Sequence, residues 1–228
     1  MISQVNKIRT DFLRKYELGG EELMNKKTVA LTEEQYKEII SLIRSGFTVV
    51  KPNNRIATIL TLEANLGLRI SDILRLRLSG IIRDGDRYRL DIVEQKTKKK
   101  REFTVPMEIY VYIQNYALFN GISPSTKLFD ISERAVQKHL KLVCDYLGYD
   151  NISTHSFRKY FATTIYRENN YNIELVRVLL QHSSAVTTQR YIGLQRQEVE
   201  AALQKHIKLL NIEETGMEVL TSEKESCQ

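Results

Sequence analysis

Apolar residues recur three or four positions apart in block after block of this chain, and one interval abandons that period. Residues 2–17 place Ile2, Val5, Ile8 and Phe12 at helical spacing, and "GG" at 19–20 closes the block. The stretch to Ala30 reads as a linker. At "LTEEQ", Thr32 and Gln35 have capping-box spacing, and Tyr36, Ile39, Ile40 and Ile43 form one apolar face. A more apolar helix over about 54–66 runs into Gly67, and Ser71 is placed to cap a further one carrying Ile73, Leu74 and Leu76. Helices are expected over about 107–120, stopped by Gly121, and over 132–147, between Ser132 and Gly148. Two more are expected around "THSFRKYFATT" and "IELVRVLLQ", and a last one over about 195–210. The exception is "RYRLDIVEQ" and "REFTVP", which read as two strands joined by a lysine-rich turn. Such a chain folds as mainly α with a small antiparallel β-sheet, an α+β architecture.

The 228 residues are enough to bury a sizeable core. Three prolines and ten glycines leave little room for long unstructured stretches. There is no run of 18 apolar residues to span a membrane, and "MISQVNKIRTDF" has no apolar signal core. The two cysteines, Cys144 and Cys227, are too few for a disulfide framework. Cys144 falls in an apolar pattern and reads as a buried thiol. A reducing, cytoplasmic setting is expected. The histidines at 139, 155, 182 and 206 lack metal-ligand spacing, so no metal is expected.

The formal charge of +6 and a pI near 9.2 point toward a polyanionic partner, and the distribution says more. "KTKKKR" at 96–101 puts five cations into six residues. Such a block is often only a solvated loop.

Other reactive side chains fall beside element boundaries. Arg69 precedes a helix start, Lys96 ends a strand, and His155 and Arg158 lie three apart, on one face of a helix. His182 and Tyr191 occupy "QHSSAVTTQRYIG", which reads as a polar loop. Each has an ordinary explanation when taken alone. Arg69 is a surface charge, Lys96 one more solvated lysine, His155 a helix-start hydrogen-bonding group, His182 a satisfied loop histidine, and Tyr191 a surface ring. Together they suit phosphodiester chemistry without metal. Arginines hold phosphate oxygens bidentately, tyrosine serves as nucleophile, and histidine and lysine move protons.

The order of these segments resembles the tyrosine recombinase (phage integrase) family. "GLRISDILRLRL" looks like its first arginine motif, with Arg69 the arginine and Asp72 its supporting acidic neighbour. "EQKTKKKREFTVP" looks like the hairpin carrying the catalytic lysine, assigned to Lys96. "THSFRKYFATT" resembles the His-x-x-Arg box, giving His155 and Arg158, and "LLQHSSAVTTQRYIG" the closing box, giving His182 and the nucleophile Tyr191. The family often has Gly where Gln181 stands and His where Lys159 stands. The resemblance spans roughly residues 31–210, with an N-terminal helix and linker over 1–30 and a tail over 211–228. Family members usually carry a separate helical core-binding domain before the catalytic one. Only 30 residues precede Leu31.

The resemblance implies a site-specific recombinase that cleaves and rejoins double-stranded DNA at a recombination site through a 3′-phosphotyrosyl link, with no cofactor. Lys96 is then the general acid, and His155 assists proton transfer at the nucleophile. Lys98, Lys99, Lys100, Arg101 and Lys159 are expected to contact DNA. The last helix is expected to dock on a neighbouring protomer, giving a homo-tetramer on DNA. Two alternatives are a type IB topoisomerase-like nicking-closing enzyme and a DNA-binding module without chemistry.

Overall fold

The computed structural model describes residues 28–48, 50–93, 96 and 100–192. The expected helices over 2–17 and 195–210 lie outside them, as do Lys98 and Lys99. The architecture is mainly helical with a three-stranded antiparallel sheet, as the hydrophobic periods require.

Helix α1 (Glu33–Ser45) begins at the expected capping box. Thr32 Oγ1 accepts from the Gln35 amide at 3.2 Å, and Gln35 Oε1 accepts from the Thr32 amide at 3.0 Å. Helix α2 (Asn54–Leu66) is the centre of the core, and Ile56, Ile59, Leu60, Leu62 and Leu66 are all buried on it. It starts on the Asn53 side chain and ends at Gly67 in the left-handed region, φ 56°. Helix α3 (Ile70–Ile73) is a single turn. Arg69, not Ser71, occupies its cap position, and Ser71 falls inside it. Backbone turns here do what the Ser71 hydroxyl was expected to do: the Asp72 and Ile73 amides both donate to the Arg69 carbonyl.

Strands β1 (Ile81–Asp84), β2 (Arg87–Val93) and β3 (Lys100–Val105) form the sheet in that order. The two strands expected from the sequence, β2 and β3, pair as read, with Val93 opposite Lys100 at the basic turn. Strand β1 was not expected, yet its signal is present. Gly85 and Asp86 form a two-residue hairpin loop between Asp84 and Arg87, with Gly85 at φ 61°. One sheet face turns Ile81, Leu90 and Val105 into the core. Helix α4 (Met107–Phe119) covers it, with Tyr110 stacked on Tyr88.

Helix α5 (Glu133–Leu147) runs between its Ser132 cap and Gly148, as expected, and buries Val136, Leu140, Val143 and Cys144. Burial pushes the Cys144 thiol up to about 12, which makes it inert. Helix α6 (Thr154–Glu168) lies against α2, and α7 (Ile173–Leu180) and α8 (Ala185–Ile192) complete the described chain. A small second cluster joins these three helices. Ala162, Val176 and Leu180 are its buried members, and Phe161, Tyr191 and Ile192 pack against them.

Gly67 is a position where the fold tolerates no side chain. Its φ favours glycine, and a Cβ there would overlap the Phe161 ring of α6. Gly67→Ala is expected to cost about 2–4 kcal/mol, combining left-handed strain with overpacking. Urea unfolding of the variant measures this directly, and a cost below about 1 kcal/mol means α2 and α6 can slide apart freely.

Candidate active site

Arg158 is 2% exposed, one of the largest fully buried side chains among the described residues. A buried guanidinium must have every face accounted for. Its Nη1 donates to the Gly67 carbonyl at 2.5 Å and its Nη2 to the Leu180 carbonyl at 3.2 Å. These carbonyls end α2 and α7, where backbone acceptors lack helical partners and the helix dipole is negative. The arginine therefore joins two helix ends that are far apart in sequence.

Tyr191 lies in the last turn of α8, which corrects the expected polar loop. The segment has no strong helical period, but the Ser184 hydroxyl accepts from the Thr187 amide at 3.2 Å and starts the helix. Packing of Tyr191 and Ile192 on the α6–α7 cluster then holds it. His182 meets the Tyr191 ring edge-on, with centroids 5.2 Å apart and planes at 77°. Its Nδ1 lies 3.1 Å from Thr188 Oγ1, and Thr188 is completely buried. The imidazole is thus oriented by a hydroxyl of the helix that carries Tyr191.

The Tyr191 hydroxyl is shielded from water and has no partner at full hydrogen-bond geometry. Burial pushes its pKa up to about 12; Arg158 pulls it down by charge and an incipient hydrogen bond, Glu63 pushes it up, and Arg69 pulls it down. Arg69, Arg158 and Tyr191 therefore share one electrostatic neighbourhood. His155 joins it from the start of α6. Although its ring is largely on the surface, partial loss of water lowers its pKa. Arg158, Lys96 and Arg69 lower it further, while Glu133 opposes them. Lys96 sits exposed in the basic turn, close enough to His155 to be felt. Asp72, expected as a supporting group, is 3% exposed on α3.

The other expected DNA contacts are placed differently. Lys100 starts β3 and forms ion pairs with Glu102 and, at 3.9 Å, with Asp91. Arg101 follows it on the same strand. Lys159 is half-buried beside Tyr191. Two features escaped sequence reasoning. Glu63 is fully buried on α2, and neither carboxylate oxygen has a hydrogen-bond partner. Burial raises its pKa well above the usual carboxylate range, and Arg158 offsets this only in part. A lone charge in the mostly apolar helix segment "TILTLEANL" was the available signal. The second is the role of Gln181, noted in the sequence only as a departure from the family's usual glycine: it ends α7 in the left-handed region, φ 53°. That backbone explains why glycine is frequent there in the resembling family. Gln181 uses its side chain instead, donating from Nε2 to the Lys100 carbonyl at 3.4 Å.

The family model described as "Phage integrase family" matches residues 30–198. The chain belongs to this family. Among its curated members, a probable integrase/recombinase of Bacillus subtilis (strain 168), YoeC, is 33% identical over 146 residues, covering 60% of this chain and 77% of the relative. The tyrosine recombinase XerC of Caldanaerobacter subterraneus subsp. tengcongensis is 28% identical over 202 residues. That alignment covers 83% of this chain and 54% of XerC, so the chain spans about half the length of that recombinase. Solved folds agree. XerH recombinase in a post-cleavage complex with its palindromic difH substrate matches with a TM-score of 0.61 at 20% identity, over 79% of this chain and 54% of XerH. The catalytic domain of bacteriophage HP1 integrase matches with a TM-score of 0.55 at 19% identity, over 79% of this chain and 96% of that domain. The mainly helical fold with its small sheet is that of tyrosine recombinase catalytic domains.

The raised pKa of Tyr191 has a consequence for stability. Its proton is held in the folded protein up to about 12, whereas the unfolded chain releases it near 10. The tyrosine therefore contributes stability below pH 10 that is lost as pH rises from 10 toward 12. Tyr191→Phe is expected to lose less stability than wild type across that window. Paired urea titrations at pH 9 and pH 11 check it, and equal losses in the two proteins mean the phenol is not buried as described.

Proposed function

We propose that this chain is a site-specific DNA recombinase that cleaves and rejoins double-stranded DNA through Tyr191. The observation that carries the reading is the Tyr191 hydroxyl, withdrawn from water beside His182 and within the fields of Arg158 and Arg69. A phosphodiester entering this neighbourhood brings the negative charge that two guanidiniums are suited to hold.

The Tyr191 oxygen then attacks phosphorus as its proton leaves. The bond from phosphorus to the 5′-oxygen breaks, leaving a 3′-phosphotyrosyl link and a 5′-hydroxyl. His155 is suited to take the tyrosine proton, because its lowered pKa keeps the imidazole neutral at pH 7. Lys96, at the neighbouring turn, supplies the proton to the departing oxygen. Attack by a 5′-hydroxyl on the phosphotyrosyl link reverses the step. The ester retains the energy of the broken bond, so the cycle consumes no cofactor. Lys98, Lys99, Lys100 and Arg101 follow Lys96 closely in sequence, and we assign them to the DNA backbone. XerH, captured in a complex with its DNA substrate after cleavage, supports DNA as the substrate here. We further assign residues 195–210 to docking on a second protomer within a tetramer, with residues 31–210 as the catalytic domain.

Wild-type protein incubated with nicked duplexes tiling the DNA beside its gene is expected to give a covalent adduct on denaturing gels. Tyr191→Phe should bind the same duplexes and give none. Arg69→Ala and Arg158→Ala should each slow single-turnover cleavage by about 10²–10³. An adduct persisting in Tyr191→Phe moves the nucleophile elsewhere. Relaxation of supercoiled DNA lacking any recombination site would instead favour the topoisomerase-like activity.

Lys96 is tested by changing the leaving group. A 5′-oxygen leaves poorly without a proton, whereas a thiolate leaves unprotonated. Lys96→Ala is expected to cleave ordinary DNA very slowly and 5′-bridging sulfur DNA at nearly the wild-type rate. Arg69→Ala should gain nothing from sulfur. Rescue of Lys98→Ala, Lys99→Ala or Lys100→Ala in place of Lys96→Ala moves the acid along the turn.

A further inference from the structure

Lys159 follows the buried Arg158 on α6, and its side chain is half-buried. Its Nζ donates to the Thr28 carbonyl at 2.5 Å, and it lies 5.7 Å from the centroid of the Tyr191 ring. That distance is within the range at which an ammonium is attracted to an aromatic face. The carbonyl is itself held in place. The Val29 amide next to it donates to the Asn151 carbonyl at 3.2 Å, which ties the segment entering the domain to the loop before α6. The same ring meets His182 edge-on at 5.2 Å. Tyr191 is therefore met by two separate groups, His182 from its own side of the chain and Lys159 from α6.

We propose that Lys159 is a positioning residue for the nucleophile: anchored by the Thr28 carbonyl, its ammonium holds the Tyr191 ring at the reacting orientation. The inference rests on Tyr191 being the nucleophile and assigns Lys159 a task other than gripping DNA. A long cation meets both requirements. Its stem must cross from α6 to the ring while its head reaches a backbone oxygen, and a neutral side chain of the same length offers the ring no electrostatic attraction. The placement also links the entry of the chain into this domain to the tyrosine, since displacement of Thr28 removes the ammonium's anchor.

The test compares Lys159→Met, which keeps length and loses charge, with Lys159→Arg, which keeps both. The first readout needs no DNA. Acetylation of Tyr191 by N-acetylimidazole, followed by peptide mass spectrometry, should speed up about two- to thirty-fold in Lys159→Met, the range of a lost cation–π contact, and stay near wild type in Lys159→Arg. The second uses the nicked duplexes above. Lys159→Met should slow single-turnover cleavage at saturating protein by a similar factor, with DNA affinity within about two-fold of wild type, and Lys159→Arg should restore it. Unchanged acetylation in Lys159→Met overturns the proposal. So does a loss of DNA affinity that matches the loss of cleavage, because that is the behaviour of a phosphate contact. If wild type forms no adduct on any duplex, the recombinase reading fails separately, and the acetylation rates alone decide whether Lys159 holds the ring.

Discussion

The buried guanidinium of Arg158 is the constraint around which this domain is built. A permanent cation cannot be taken from water without acceptors, and the chain supplies them from the ends of two helices, the Gly67 and Leu180 carbonyls. Everything adjacent follows from meeting that demand. Gly67 must be a glycine in the left-handed region, because α6 lies too close for a side chain. Helix α7 must stop at Leu180, and Gln181 turns the chain back through left-handed backbone of its own. The turn after it delivers His182 and then α8, so that Tyr191 arrives beside the same arginine.

This arrangement sets a balance at the tyrosine. Withdrawal from water disfavours the phenolate and raises the pKa, while two arginines favour it. Withdrawal wins in the protein without DNA, so the nucleophile rests in its neutral form. Glu63 works in the same direction as burial, and its own raised pKa limits how much negative charge it brings. A low-dielectric site of this kind strengthens every later electrostatic contact with a phosphate, the same property that keeps the resting tyrosine protonated.

Much of the fold is legible because its determinants are local. Thr32 with Gln35, Ser132 with Gly148, and Gly67 each bond or bend within a few residues, and the structure uses them as read. The sheet between residues 81 and 105 was half visible. The alternation in β2 and β3 is strong, whereas β1 has only four residues, and its clue was the Gly85–Asp86 hairpin loop. Helix α8 was not legible. Its residues Thr187 and Thr188 follow Val186, a β-branched run with weak helical preference, and its apolar face appears only when Ala162, Val176 and Leu180 are brought beneath it.

The sequence by itself determined the helical blocks, the one basic hairpin and the identity of the reactive side chains, because periodicity, caps and residue chemistry are written in adjacent positions. The family likeness, too, was present in four short motifs. Only the tertiary structure decided where those side chains stand. Arg69 caps α3, Arg158 lies near the start of α6 and Tyr191 in the last turn of α8, and their common neighbourhood is created by packing α2, α7 and α8 against α6. It also decided two matters of burial. Glu63 lies in the core without a hydrogen-bond partner, and Lys159 turns to a backbone carbonyl and an aromatic ring. Burial and partner depend on residues distant in the chain, so no local pattern of letters can specify them.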